Sequence, residues 1–497
     1  MSKSRRAGLS AAACSVAFVA AGVLTGAGAH AETLADAIAL AYQTNPTLQG
    51  QRATQRALDE SVVQAKTGLR PTLNATASAT TSHTEGNAAN VGVGNSSVDR
   101  KGSQGQVQIN QPIFTGGRVS SQIDAATADV ESGREALRRT EATVLLSVIQ
   151  SYVDVRRAEA ALQISNDNVA VLNRQREEAK ARFDVGEITV TNVAQAEARL
   201  AAAQASLSLA RATLANARAA YAAVVGQNPT NLAPEPSLAP LIPETVDGAF
   251  QAAEATNPQI LAAELTEQAS RARVRQAQAA RRPTLSANAS YGYSAALVNG
   301  RGEQFGQYGS AISTGITASM PLFSGGLVSS QIRAAIERNN ADRIAVETAR
   351  RAVLQSVSQA WNQLLAARAN LVSNQEQVRA TTVAFEGVRA ENQVGLRTTL
   401  DVLNAEQELR TAQLALVTGR RDEYVASANV LVAMGKLDAK SIAPDVPTYD
   451  PTTSFDAANH AFGWVPWEPV LNFTDRLGGP GQRPAPADVP VVTATPQ

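Results

Sequence analysis

Two periodicities alternate along this chain. From Thr72 to Thr80 the period is two: Thr72, Asn74, Thr76, Ser78 and Thr80 share one face, and Leu73, Ala75, Ala77 and Ala79 share the other. After a Gly/Asn/Ser-rich stretch from Glu85 to Gly105 the alternation resumes, with Gln106, Gln108 and Asn110 opposed to Val107 and Ile109. Farther on, Ser286, Asn288, Ser290 and Ser294 oppose Leu285, Ala287, Ala289, Tyr291 and Tyr293, and Ser313, Thr317 and Ser319 oppose Ile312, Ile316 and Ala318. Successive strand side chains point to opposite sides, so four strands are predicted, each with an uncharged polar face and an apolar face. A membrane barrel with a wet interior reads this way, and so does a half-buried strand in a soluble sheet.

The other period is seven. Val148, Val155, Leu162 and Val169 recur at that spacing, as do Val357, Leu364, Leu371, Val378 and Phe385. They lie in proline-free stretches, Arg118 to Asp184 (67 residues) and Leu327 to Val394 (68 residues). As unbroken helices each would span roughly 100 Å. A return helix follows each Val-Gly pair, marked by Val193, Leu200, Leu207, Leu214 and Tyr221 and by Val402, Leu409 and Leu416. Sustained heptads predict coiled-coil packing of long antiparallel neighbours. Shorter helices begin near Leu34 and Val246, break at Asn45-Pro46 and Asn257-Pro258, and resume to Lys66 and Arg281, where Pro71 and Pro283 stop them.

The chain is written twice. The segment from Gln111 to Ile123, with Pro112, Gly116 and Gly117, recurs from Met320 to Ile332, with Pro321, Gly325 and Gly326, at an offset of 209. Arg70-Pro71-Thr72-Leu73 recurs as Arg282-Pro283-Thr284-Leu285 at an offset of 212, and Val185-Gly186 recurs as Val394-Gly395 at 209. Two copies are too few for a stacked solenoid. The predicted layout is a signal peptide (1–31), a first repeat (32–244), a second repeat (245–440) and a Pro-rich, partly disordered tail (441–497).

Composition narrows the function. The 44 Lys+Arg balance the 44 Asp+Glu, which argues against an electrostatic nucleic-acid binder. Lys3, Arg5 and Arg6 precede an apolar stretch from Leu9 to Leu24, and Ala29-His30-Ala31 supplies a small-residue cleavage site, the signature of a secretory leader. Removing 31 of the 497 residues leaves 466, with 41 basic and 44 acidic groups and a net charge of −3. The one cysteine, Cys14, falls inside the leader, so the exported chain has no thiol for a disulfide, a metal or a nucleophile.

His83 and His460, the remaining histidines, have no spaced metal partners. Gly92-Val93-Gly94-Asn95 is too short for a nucleotide loop, and Gly419-Arg420-Arg421 reads as a solvated basic spot. No catalytic constellation is present, so the chain is predicted not to be an enzyme and to need no cofactor or metal.

No segment beyond the leader is apolar enough for a transmembrane helix; a lipid location requires strands. Four strands cannot close a membrane barrel, and an open edge in lipid leaves backbone groups unpaired. A membrane role therefore requires copies that pool their strands.

The duplication, the strand–turn–helix order, the Pro-x-Phe-x-Gly-Gly turns and the Val-Gly tips together resemble the TolC family of outer-membrane channels, from about Thr33 to Leu437. The resemblance implies a mainly α fold with a transmembrane β part. Long coiled-coil hairpins would build an α-helical barrel in the periplasm, and four strands per subunit a trimeric twelve-stranded β-barrel in the outer membrane of a Gram-negative cell. It implies a homotrimer working with a periplasmic adaptor (membrane fusion) protein and an inner-membrane ABC or other pump.

The family's docking tips map onto Val185, Gly186 and Glu187 and onto Val394, Gly395 and Leu396. Its entrance maps onto Arg397, Asp401, Asn404, Thr191 and Asn192. Arg397 matches an arginine that helps lock the closed entrance, and Asp401 an acidic constriction residue. Asn404 and Asn192 stand where the family often has Asp, and Asn392 where it often has Tyr, which implies a weaker lock because an Arg–Asn bond lacks charge assistance.

From Ala443 onward the prolines are expected to break any helix, and Tyr449, Trp464, Trp467 and Phe473 either pack on the outside of the tunnel or cover a seam. The expected function is an exit duct for energised export, with type I protein secretion first and multidrug efflux as the alternative. A soluble periplasmic coiled-coil adaptor is the alternative of another class.

Overall fold

The computed structural model describes residues 31–86, 96–298, 301–302, 309–444, 446–461, 465–477 and 479–480. Residues 1–30 of the predicted leader, Gly92 to Asn95, Trp464 and the end of the tail from 481 lie outside them.

Each repeat opens with two short helices, α1 (Leu34–Thr44) and α2 (Pro46–Lys66) in the first, α5 (Val246–Thr256) and α6 (Pro258–Ala279) in the second. The break between them is held by asparagine. Asn45 accepts from the Thr47 and Leu48 amides, while its Nδ2 donates to Val224 O at 3.0 Å. Asn257 accepts from the Gln259 amide and donates to Ala433 O, both at 2.8 Å. One side chain thus caps a helix and ties it to the end of the return helix of its own repeat.

Strands follow: β1 (Thr72–Gly86), β2 (Ser96–Phe114), β3 (Thr284–Val298), the two-residue β4 (Arg301–Gly302) and β5 (Gly309–Ser319). β1 pairs antiparallel with β2 from Thr72↔Asn110 to Gly86↔Ser96. β2 pairs with β3 from Arg100↔Val298 to Phe114↔Leu285, with a register shift beside Pro112, whose ring removes a ladder donor. β3 pairs with β5 from Thr284↔Ser319 to Ser294↔Gly309. The order is β1-β2-β3-β5, and among the described residues β1 and β5 each pair on one side only. The strands are longer than the alternation indicated. The stretch expected to be loop from Glu85 to Gly105 is strand from Ser96 onward, and His83 lies in β1, its Nδ1 2.5 Å from Asp99 Oδ1 of β2, rather than in a loop.

The long helices are α3 (Arg118–Asp184) and α7 (Leu327–Gln393), each 67 residues, with returns α4 (Val190–Val225) and α8 (Thr399–Met434). At 1.5 Å per residue α3 and α7 are about 100 Å long. On the sheet side α3 packs between α2 and α6, and α6 also packs on α7; toward the tips α3 packs on α4 and α8, and α8 on α7. The main core lies where the hairpins meet the short helices, around Leu34, Ile38, Tyr152, Tyr221, Val357, Leu364, Leu431 and Met434. Heptad positions Val148, Val155, Leu200, Leu207, Leu214 and Val402 are buried as expected.

The repeats differ in cover. α3 lies in the interior of the row and buries residues along most of its length. α7 is the flank. It buries five residues, Ile332, Val353, Val357, Ala360 and Leu364, and leaves Ile344, Val372 and Val383 more than 60% exposed.

Two expectations fail locally. Arg421 is no solvated spot: its guanidinium reaches Asp154 of α3 (Nε–Oδ1 2.9 Å) and neighbouring Asp422. After the short α9 (Ala439–Ile442), the tail does contain helix, as α10 (Pro451–Ala461) and α11 (Glu468–Leu477). Pro451 and Pro469 sit in first turns, where a missing N–H costs nothing. α10 packs on α2, and α11 packs on α3 and β2. Of the tail aromatics, Tyr449 packs against the main core.

Candidate functional site

The hairpin tips share one construction. In the first, Gly186 takes φ 80° and Gly395 takes φ 79° in the second, a left-handed conformation that favours glycine at a helix end. The following amides close the turns, Glu187 N on Arg182 O and Leu396 N on Glu391 O, each at 2.9 Å. Val185, Val394 and Leu396 project into open space at 78%, 71% and 76% exposure.

Each tip is also pinned by an ion pair. Arg182 Nη2 donates to Glu187 Oε1 at 2.5 Å, which holds the Glu187 carboxyl below its ordinary range. Arg397 Nε donates to Glu391 Oε2 at 2.8 Å, and Asn392 Nδ2 donates to Arg397 O at 2.8 Å. The bond to Glu391, then the charges of Glu391 and Asp401, raise Arg397 further. Asp401 forms a reciprocal cap with Thr398, receiving bonds from its amide and hydroxyl at 3.0 and 2.8 Å. Those bonds hold its carboxyl below the ordinary value, the hydroxyl contributing most.

The structure therefore brings together only part of the expected entrance. Among the described residues, Arg397 makes no hydrogen bond to Thr191 or Asn192; its partner is Glu391 of its own hairpin. Asn192 donates its amide to Thr189 O at 3.0 Å within the first tip. Asn404 reaches across: its Oδ1 accepts from Arg199 Nη2 of α4 at 3.0 Å, linking the two hairpins. Between α3 and the α7–α8 turn lies a cleft lined by Arg174, Gln175, Glu178, Arg182, Arg389 and Asn392.

Glu406 was not among the sequence candidates. It sits on α8 at 7% exposure, and its Oε2 has no hydrogen-bond partner. Burial pushes its carboxyl up to about 7, while Gln175 of α3 and the Arg410 and Arg389 guanidiniums pull the other way. The signal was available: Glu406 falls four residues after Val402, on the apolar stripe of the heptad.

At the other end, the strand-to-helix turns use Gly116 and Gly117 (φ 69° and 85°) and Gly325 and Gly326 (φ 59° and 86°). The first turn is closely covered. A Cβ on Gly116 would lie 2.7 Å from Arg282 Cβ, and one on Gly117 2.6 Å from Gly479 Cα. The second turn has nothing within 4 Å of either glycine, and Leu322 and Phe323 are 91% exposed. Asp475 of α11, fully buried, also covers the first turn. It accepts from Thr115 N (2.7 Å), Thr115 Oγ1 (3.0 Å), Gly117 N (3.1 Å) and Ser120 N (3.2 Å). A carboxylate there satisfies unpaired first-turn amides and complements the positive end of the α3 dipole. No local motif in the tail marks it.

Among the described residues no three His, Cys, Asp or Glu stand close enough to hold a metal, and no helix is long and apolar enough to cross a membrane. Residues 37–227 and 249–436 match the family described as outer membrane efflux protein. The chain belongs to the outer membrane efflux protein family.

Its relatives include outer membrane efflux protein BepC of Brucella suis biovar 1 (strain 1330), 35% identical over 437 residues, 88% of this chain and 92% of BepC. Outer membrane protein TolC of Escherichia coli (strain K12) is 26% identical over 429 residues, 83% of this chain and 84% of TolC. Alkaline protease secretion protein AprF of Pseudomonas aeruginosa is 25% identical over 337 residues, 67% of this chain and 69% of AprF. Among solved structures the outer-membrane channel OprN shares the fold, with a TM-score of 0.69 at 23% identity over 81% of this chain and 90% of OprN.

The protein is thus a TolC-like outer-membrane channel reaching into the periplasm and serving efflux or secretion. Its family is one of channels rather than enzymes. The soluble-adaptor reading falls with its placement in the outer membrane.

Proposed function

We propose that three copies close into a twelve-stranded β-barrel continued by a helical tunnel, the exit duct of an export system energised at the inner membrane. The observation that carries this reading is the pair of unpaired strand edges, β1 and β5. In this four-strand antiparallel row β5 runs opposite to β1, so β5 of one copy runs antiparallel to β1 of the next. A ring of copies then pairs every backbone group that lipid would leave unsatisfied. The exposed apolar residues of α7 meet the α2 and α4 flank of the next copy in the same ring.

The tips Val185-Gly186-Glu187 and Val394-Gly395-Leu396 are proposed to dock a periplasmic adaptor, which links the duct to an ABC or other inner-membrane pump. Arg397 and Asp401, with Thr191, Asn192 and Asn404, are proposed to form the gated entrance. Opening would break the Arg199–Asn404 link between hairpins.

The proposed client is a secreted protein in a type I system. AprF, by its name, serves alkaline protease secretion, and the only cysteine, Cys14, falls inside the predicted leader, so on that reading the exported chain offers no thiol for an acyl anchor of the kind some efflux branches of the family carry. The second reading, small-molecule efflux, is favoured by the higher identity to BepC, named an efflux protein. Quantitative proteomics of culture supernatant from a deletion strain separates them. Loss of one or a few proteins, restored by complementation, supports secretion; an unchanged secretome with new drug sensitivity supports efflux.

A further inference from the structure

We infer that α11 is an interfacial membrane anchor, lying in the periplasmic leaflet of the outer membrane with Trp467, Val470, Phe473 and Leu477 turned into lipid. These four are 49–71% exposed. Spacings of three, three and four place them on one face in and just before the helix. The opposite side is consumed by the protein. Glu468 accepts from Arg70 Nε at 3.0 Å, Asp475 is buried in the first strand-to-helix turn, and Arg476 reaches Asp124 at 2.8 Å. A short helix with its polar side pinned inward and a bare apolar face outward does not solvate both sides in water.

Its height is fixed by the same contacts. Asp475 binds the amides of Thr115, Gly117 and Ser120, where β2 ends at Phe114 and α3 begins at Arg118. That junction is the periplasmic edge of the membrane-embedded sheet. At the equivalent turn of the second repeat Leu322 and Phe323 are almost fully exposed, so the apolar level continues around the molecule. A tryptophan at the helix start suits this depth, because an indole has an apolar body and a polar N–H and favours the headgroup boundary.

The competing occupant of this face is a second copy of the chain. Copies would meet at the outer strand edges β1 and β5 and at the α7 flank, whereas α11 rests chiefly on α3 and β2, interior members of the row and the sheet, and reaches the β1 side through Arg70 and the turn before it. Its outward face is therefore directed at what surrounds the ring. The inference rests on the outer-membrane location and not on the number of copies or the client.

The test is spin-label depth measurement on the full-length protein in vesicles of phosphatidylethanolamine and phosphatidylglycerol. The cysteine-free exported chain makes single labels unambiguous. Val470→Cys and Phe473→Cys carry the probe, Ile312→Cys on the apolar face of β5 is the lipid reference, and Ser237→Cys in an exposed loop is the water reference. The expected result is that labels at 470 and 473 collide more with oxygen than with a water-soluble nickel chelate, as at 312 and opposite to 237. Labels that behave like 237 while 312 reads lipid overturn the anchor and leave the membrane location intact. Labels shielded from both reagents and dipole-broadened place a second copy there and also overturn it.

Discussion

Glu406→Gln should uncouple the pairing of the two hairpins from pH. The carboxyl lies between α8 and α3 at 7% exposure, faced by Gln175 of α3, Arg389 of α7 and Arg410 of its own helix. Burial raises it from 4.5 to about 7. A hairpin that swings away re-exposes it and returns it to the ordinary range. The paired state then holds the proton up to about pH 7, the separated state only below about pH 4.5, so pairing is strongest in acid and weakens as pH rises across that window. At 1.36 kcal/mol per pKa unit the full shift is about 3 kcal/mol, and about 2 after allowance for solvent screening, or ~30-fold in the separation equilibrium between the acid plateau and pH 8. Hydrogen exchange of α8 around Leu403 to Arg410 reads this directly, as protection corrected for the intrinsic pH dependence of exchange. Protection in the parent should fall ~30-fold between pH 4 and pH 8, and Glu406→Gln should hold the acid value throughout. A flat parent profile, or an unchanged slope in the variant, would refute the argument.

Asp475→Asn keeps the shape but removes the charge that four donors share; it should loosen α11 by about 2–4 kcal/mol, seen as faster tryptic cleavage at Arg476, and unchanged cleavage would count against the clasp. Arg397→Ser frees Glu391 and should raise single-channel conductance in planar bilayers; equal conductance would remove Arg397 from the entrance. Cysteine at Ala77 of β1, combined in turn with cysteine at Ser310, Ile312 or Thr314 of β5 on the same face of the sheet, should give covalent trimers on oxidation. Covalent dimers alone at every pairing would refute the three-copy ring.

Much of the fold was legible because duplication doubles each weak signal. The Asn-Pro breaks, Gly-Gly turns and Val-Gly tips each appear twice, at offsets of 212, 209 and 209, and all were placed to within a few residues. Strand ends were not, because Ser96 to Gly105 continue the ladder through cross-strand partners rather than through any hydrophobic pattern of their own. The tail helices were missed because proline was read as a breaker, although Pro451 and Pro469 occupy the positions where it begins a helix. Arg397 shows the limit of resemblance. A motif gives the position, while its nearest carboxylate, Glu391, is set by the geometry of the turn. Asp475 was invisible because its donors lie some 360 residues away in sequence.

The outer strands are made largely of Thr, Ser, Ala and Gly, with Leu73 in β1 and Ile312 and Ile316 in β5 as their large apolar groups. Each small side chain contributes little to burial, so a lone copy has weak drive to enter lipid. Strand edges this poor in bulky residues also make weak seeds for cross-β aggregation. A newly exported chain can therefore cross the aqueous periplasm with both edges open. In the proposed ring, partition into the bilayer becomes favourable once the edges meet, which would make membrane insertion a step timed by assembly.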